Sequence, residues 1–303
     1  MAASYLSAPH FHDEQAAIDF VEARVWGANR VCPHCGVIGE SKRYGGKSTR
    51  LGLWKCYACR KPFTVKIGTI FEDSHVQMHL WLQAIYLVAA SKKGISANQL
   101  HRTLGVTLKT AWFMGHRIRL AMAGDVSDMG SGGEIIEADE TYFGAKEGKR
   151  KRAGHGHKHT VFALIQRGGK VKSFHLDGAG KTAEQITEAL KVVSQNANIM
   201  TDNARWYRKI MADYASHEVV DHSKGEYVRG NVHTNTIENV FSVFKRGMVG
   251  TYQHCKEQHL HRYLSEFDFR YNNRVALKIS DQQRAENLLT GVSGKRLTYK
   301  TTN

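Results

Sequence analysis

The apolar positions along the chain change period several times, and each change predicts an element. Leu80 to Ala90 is the most apolar run; it is too short to span a bilayer and reads as a core helix. Ser96 and Gln99 make a capping signal for a helix to Leu104. Gly105 then supplies a turn, and Thr107 caps a second helix running to Met122, an order that spells a helix-turn-helix. Ser127 to Gly133 is Gly/Ser-rich and has the makeup of a flexible connector. Beyond it, Glu134 to Tyr142 predicts a strand. Thr160 to Gln166 and Lys170 to Leu176 predict a hairpin around Gly168-Gly169. Thr182 and Gln185 form a capping box ahead of the helical stripe Ile186, Ala189, Leu190 and Val193. Ile199-Met200 reads as a buried strand ending at Thr201-Asp202-Asn203. Two further helical stripes follow, Ile237/Val240/Phe241/Phe244 and Leu260/Leu264/Phe267/Tyr271. Three strands, a helix, a strand and then helices suit an α/β fold, a mixed sheet with helices on its faces.

Composition adds a partner to this architecture. Among 303 residues, 43 Lys and Arg face 28 Asp and Glu, a formal charge of +15 that points to a polyanion, since neutralised phosphates release counterions. The N-terminus carries no basic segment followed by an apolar stretch, so the expected compartment is the cytoplasm, nucleoid-associated, with no membrane partner. Four of the five cysteines form two CxxC pairs, Cys32/Cys35 and Cys56/Cys59, with 20 residues between them. That spacing closes a tetrahedral, structural zinc site, the metal replacing a core that so short a segment cannot build. His34 is a spectator, and Cys255 is expected as a small half-buried thiol with no special role. Lys42, Arg43, Lys47, Arg50 and Lys55 surround the pairs, either as a solvated surface or as a DNA contact. In the second helix of the helical block, Lys109, Thr110, His116, Arg117 and Arg119 are able to reach phosphates or base edges, although two short helices joined by a Gly turn are also common in proteins that never touch DNA.

Three acids carry the candidate chemistry. Asp139, in Ile135-Ile136-Glu137-Ala138-Asp139-Glu140, and Asp202, after Ile199-Met200, each follow apolar strand residues. A carboxylate there is costly unless a metal or hydrogen bonds compensate it. Asp202-Asn203 has the alternative of opening a turn, and Asp139 that of one acid among several on an exposed strand. Glu238 has a structural alternative too, a capping box with Asn235 as N-cap. Yet at about 100° per residue Glu238 and Lys245 nearly superpose, on a helix edge about 90° from the apolar stripe, where they can face a metal and a phosphate together. The segment Lys146 to His159 holds six Lys or Arg, including Lys149, Arg150, Lys151 and Arg152; it reads either as a solvated hairpin loop or as a clamp on a nucleic-acid backbone, and the second is expected. Its His155, His157 and His159 are expected to lie in an exposed Gly-rich loop that holds no metal.

Asp139, Asp202 and Glu238, the last two with 35 residues between them, together resemble the DDE triad of RNase H-like transposases and integrases. His233-Thr-Asn-Thr-Ile-Glu238 and Lys245-Arg-Gly-Met-Val-Gly-Thr-Tyr252 are similar to phrases in bacterial insertion-sequence transposases of the ISXO type, related to the eukaryotic Merlin group. Those proteins also begin with a zinc ribbon, so the likeness runs from about Glu14 to Arg274. It implies a zinc ribbon over 14–66, a helix-turn-helix block over 74–124, an RNase H-like catalytic domain over 132–274 and a C-terminal tail over 275–303. It also implies two magnesium or manganese ions, with Asp139 bridging both, Asp202 binding one and Glu238 the other, while Lys245 and Arg246 contact DNA. The implied reaction is cleavage at terminal inverted repeats and strand transfer into double-stranded target DNA by a homo-oligomer. An RNase H-like nuclease without strand transfer, and a DNA-binding regulator that keeps only the scaffold, are the alternatives.

Overall fold

The computed structural model describes residues 4–46, 48–148, 154–176, 182–203 and 207–298. The chain forms two compact units, Met1–Ala123 with Lys278–Asn303, and Gly124–Leu277. Among the described residues no helix is long and apolar enough to cross a membrane.

The first unit opens on α1 (Glu14–Val25), capped by Asp13, whose carboxylate accepts from the Ala16 amide at 2.7 Å. A three-stranded antiparallel sheet follows, β1 (Ser41–Arg43), β2 (Trp54–Cys56) and β3 (Pro62–Phe63), in sequence order. Its buried side chains among the described residues are Cys32, Trp54, Cys56 and Phe63. Helix α2 (Met78–Ala90) is the expected core helix; the Glu14 carboxylate caps its start, accepting from the Met78 and His79 amides. Next come α3 (Ala97–Leu104) and α4 (Leu108–Met122), with Ser96 and Thr107 as working N-caps and Gly105 in the left-handed region at φ 67°. Residues expected as a tail return to this unit, where the helix Asp281–Thr290 packs on α2 through Ala285, Leu288 and Leu289.

The two α4 arginines expected to contact DNA are buried instead. Arg117 is buried, and its guanidinium donates to the Ile70, Glu72 and Leu297 carbonyls at 2.6–3.0 Å over the Phe113 ring. Arg119 is buried with its guanidinium folded back against Gly115, and His116 is fully enclosed. Three hydrogen bonds from its terminal nitrogens to main-chain oxygens make Arg117 a structural staple, so the helical face the sequence assigned to DNA is instead the packing face. Lys109, at the start of α4, is exposed.

The second unit is a five-stranded sheet in the order β6-β5-β4-β7-β8. It contains β4 (Ile135–Phe143), β5 (His159–Gln166), β6 (Val171–Leu176), α5 (Thr182–Leu190), β7 (Asn198–Asp202), α6 (Tyr207–Ile210), β8 (Ser216–Val220), α7 (Asn235–Gly247) and α8 (Leu260–Asn272). β4, β5 and β6 are antiparallel, while β7 and β8 run parallel to β4. Strand alternation sends Ile136, Ala138, Phe162 and Leu164 to one face, under α5 and α6, and Val161, Ala163 and Ile165 to the other, under α7 and α8. This is the RNase H-like mixed sheet with helices on both faces. β8 is absent from the sequence reading, because Ser216-His-Glu-Val-Val has neither alternation nor an apolar run.

The expected flexible joint also differs. Met129 is buried, exchanging main-chain hydrogen bonds with Val192 and Ser194, and Gly130 sits at φ 77° where a Cβ would lie 2.4 Å from the Ala197 Cβ. The glycine is there for close approach and a left-handed turn, which composition alone does not separate from flexibility.

A candidate active site on the central strands

Asp139 and Asp202 each follow, by two residues, the pair Glu137–Met200 that registers parallel strands β4 and β7. Both carboxylates therefore leave the α7 face of the sheet side by side, and with Glu140 they place one oxygen each within 4.8 Å of one another. Burial pushes the Asp139 carboxyl up to about 8, with the charge of Asp202 next and those of Glu140 and Glu238 adding, against the 2.7 Å hydrogen bond from the Glu140 amide. A carboxyl pushed up this far by burial and by a neighbouring carboxylate marks a candidate functional site.

Glu238 comes from the first turn of α7 and is exposed. It shares with Asp139 and Asp202 a cavity of about 530 Å³, lined also by Glu140, Thr141, His222, Phe241, Ser242, Lys245 and Arg246. Glu238 and Lys245 thus lie on one helix edge beside the buried stripe Ile237, Val240, Phe241 and Phe244. Glu238 accepts from the Thr234 hydroxyl at 3.2 Å and lies 3.7 Å from His222 Nε2.

The capping alternative for Glu238 is not what forms. The N-cap position is Thr234, with Asn235 exposed inside the helix, and the free amides of Thr236 and Ile237 donate at 2.9 Å to the fully buried carboxylate of Glu137. Glu137 also accepts from the Thr236 hydroxyl and from Arg167 Nε at 2.6 Å. Arg167 in turn donates to the Asn231 and His233 carbonyls. One carboxylate on β4, two residues before Asp139, thereby fixes the helix end that carries Glu238. Sequence reasoning left Glu137 and Glu140 as mere neighbours of Asp139. It missed His222 entirely, because that residue follows the unread β8.

The four cysteines converge as the spacing predicts, with Cys32 Sγ 3.8 Å from Cys59 Sγ and Cys35 Sγ 3.7 Å from Cys56 Sγ. Zinc–sulfur bonds of about 2.3 Å in a tetrahedron set sulfurs about 3.8 Å apart, so the four thiols fit zinc. Cys255 is half-buried against the α7/α8 core. Of the basic residues expected at DNA, Lys245 and Arg246 line the cavity and are exposed, whereas Lys47 and Lys149, Arg150, Lys151 and Arg152 lie outside the described residues.

A mixed sheet in this order, with paired carboxylates on adjacent central strands, defines an RNase H-like domain of the DDE class. Residues 131–272 match the ISXO2-like transposase domain, and residues 12–62 match the transposase zinc-ribbon domain. The chain thus carries both domains of an insertion-sequence DDE transposase, the zinc ribbon and the transposase domain. It is also 27% identical over 278 residues to a protein described as uncharacterized in transposable element ISH50 of Halobacterium salinarum, across 86% of this chain and 91% of that one.

Proposed function

We propose that the chain performs divalent-metal-dependent cleavage and strand transfer of insertion-sequence DNA ends. The observation that carries this reading is the convergence of Asp139 and Asp202 in one cavity with Glu238, Lys245 and Arg246. Hard carboxylate oxygens select magnesium or manganese, and the residues that would hold two such ions are Asp139 between them, Asp202 on one side and Glu238 on the other. When bound, the pair activates a water or 3′-hydroxyl and stabilises the departing oxygen. The protein's own contributions are to crowd the carboxylates together and to seat the DNA phosphate against Lys245 and Arg246. Glu140, whose oxygen sits beside those of Asp139 and Asp202, competes with Glu238 for the third ligand position.

In this reading the ribbon (14–66), the helical block (74–124, with Lys109 on its exposed side) and the basic segment Lys149–Arg152 hold double-stranded DNA, both the terminal inverted repeats and the target. The RNase H-like domain (132–274) cuts it. Two ends must be held at once, so the working form is a homo-oligomer.

The test uses pre-cut and uncut duplexes bearing the element's terminal repeats, with magnesium and a supercoiled target. Joined products are expected; nicks without joining would assign a plain nuclease. Asp139→Ala and Asp202→Ala should bind the duplex as the wild type does, with cutting reduced at least about 10³-fold, the scale of losing a metal ligand's transition-state stabilisation. Undiminished transposition by Asp139→Ala would overturn the site. Comparing Glu238→Gln with Glu140→Gln identifies the third ligand as whichever variant loses cutting.

A further inference from the structure

We propose a second transition-metal site, built from His159, His175 and Glu257 on the opposite end of the α7/α8 face from the carboxylates. His159 opens β5 beside Phe143, and His175 lies in β6 opposite Val161, one alternation step from His159 on the same face. Their rings sit 5.5 Å apart. Glu257 begins the short turn Glu257–His259 that leads into α8. Its Oε1 lies 3.5 Å from His159 Nδ1 and 3.9 Å from His175 Nε2, and all three ligand atoms fall within 4.8 Å of one another. Asp139 pairs with Ala163, four residues further along β5, about 13 Å away at strand rise.

The distances decide between an ion-pair cluster and a metal site. Imidazole N–H groups donating to a carboxylate settle at about 2.7–3.2 Å, and neither nitrogen is that close. Ligands on a tetrahedral zinc at about 2.0–2.1 Å are about 3.3–3.4 Å apart, a small closure from what is seen. Burial points the same way, for His159 is 4% exposed and its Nδ1 makes no hydrogen bond among the described residues. A buried imidazole nitrogen without a hydrogen bond costs on the order of 1–3 kcal/mol, and a shared cation removes that cost for the whole group. Glu257 is half in solvent, its side chain 44% exposed, which leaves an open side for water to complete the shell.

Two nitrogens and one oxygen select zinc or a neighbouring first-row divalent ion over magnesium, so this site and the all-oxygen cavity take different metals. Bound there, the ion ties the β5–β6 hairpin to the start of α8, a structural clamp with chain separations of 16 and 82 residues between its ligands. His159 is one of the three alternating histidines in the basic segment, and it is strand placement, not the loop, that makes it a ligand.

Full-length protein loaded with zinc and gel-filtered should carry two zinc ions per chain by elemental analysis. Glu257→Gln and His175→Ala should each carry one, while Asp202→Asn should keep two. With cobalt in place of zinc, the thiolate-to-cobalt charge-transfer band of the ribbon should persist in His175→Ala and only the weaker visible bands should fall. Glu257→Gln alters an exposed carboxylate, so a count of one in a variant with wild-type circular dichroism cannot come from unfolding. One zinc per chain in the wild type, or two in all three variants, would overturn the proposal.

Discussion

Glu137 holds the two halves of the site together without lining the cavity itself. Its carboxylate is fully buried, paired to Arg167 and hydrogen bonded to the first free amides of α7. Removing one partner of a buried ion pair leaves an uncompensated charge. Glu137→Ala is therefore expected to lower unfolding stability by about 3–5 kcal/mol, read by urea denaturation, and to release the α7 end. Glu137→Gln keeps the shape but sets an amide donor among donors; it should cut DNA more slowly while binding it normally. Cutting at the wild-type rate by a folded Glu137→Gln protein would show that the helix end is fixed by something else. At this scale the sequence exposes Asp139, Asp202, Glu238 and Lys245, because apolar runs before an acid and a seven-residue helical spacing are local signals. It hides Glu137, whose partners lie 30 and 99 residues away, and it misplaces Arg117, whose charge is spent on main-chain carbonyls.

Edge strands are a liability because they present unpaired main-chain groups, and α8 covers the β6 edge with side chains. Asn272 accepts from the Val171 amide and donates to the Val171 carbonyl, and Asp268 accepts from the Ser173 amide and hydroxyl at 2.7 and 2.6 Å. Burial pushes the Asp268 carboxyl up to about 6, against the downward pull of Ser173. The folded state then holds this proton more tightly than the unfolded chain, where the group titrates near 4. Its stabilising contribution is complete below pH about 4 and is lost as the pH rises through about 6. Asp268→Asn, which keeps an acceptor for the Ser173 amide, should gain on the wild type by about 2–3 kcal/mol between pH 4 and pH 7. Urea midpoints at the two pH values check this, and parallel shifts for both proteins would refute it. Elements with a period or a cap of their own, such as β4, the β5–β6 hairpin, α3, α4 and α7, are legible in the sequence. β8 and the closing helix are not, since the short strand is defined by pairing with β7 and the helix by its seat on α2.

Over the whole chain, the sheet unit and the ribbon obtain their stability by different means. Gly124–Leu277 has an extended apolar cluster on each face of its sheet, enough burial to fold without a ligand. The ribbon has three strands of two or three residues, and among the described residues the cluster around its sheet buries four side chains, two of them cysteines. Such a core supplies too little burial to offset chain entropy, so the folding energy there is the metal-binding energy. Outside help comes from α1, where Glu22 accepts from Trp54 Nε1 at 2.8 Å and Asp19 pairs with Arg43 at 2.8 Å. The exposed Asp19–Arg43 pair contributes at most about 1 kcal/mol, which cannot replace four metal–sulfur bonds. Zinc removal with a strong chelator should therefore open the chain between Cys32 and Phe63 to proteolysis by at least about tenfold in rate, the equivalent of a 1.4 kcal/mol loss of local protection. The fragment spanning residues 124–277, with its own apolar core, should lose far less protection, and Cys56→Ser should open the ribbon alone without chelator. Equal protection of the ribbon with and without zinc would mean that α1 and the Trp54 contacts hold it, and the cysteines would then need another purpose.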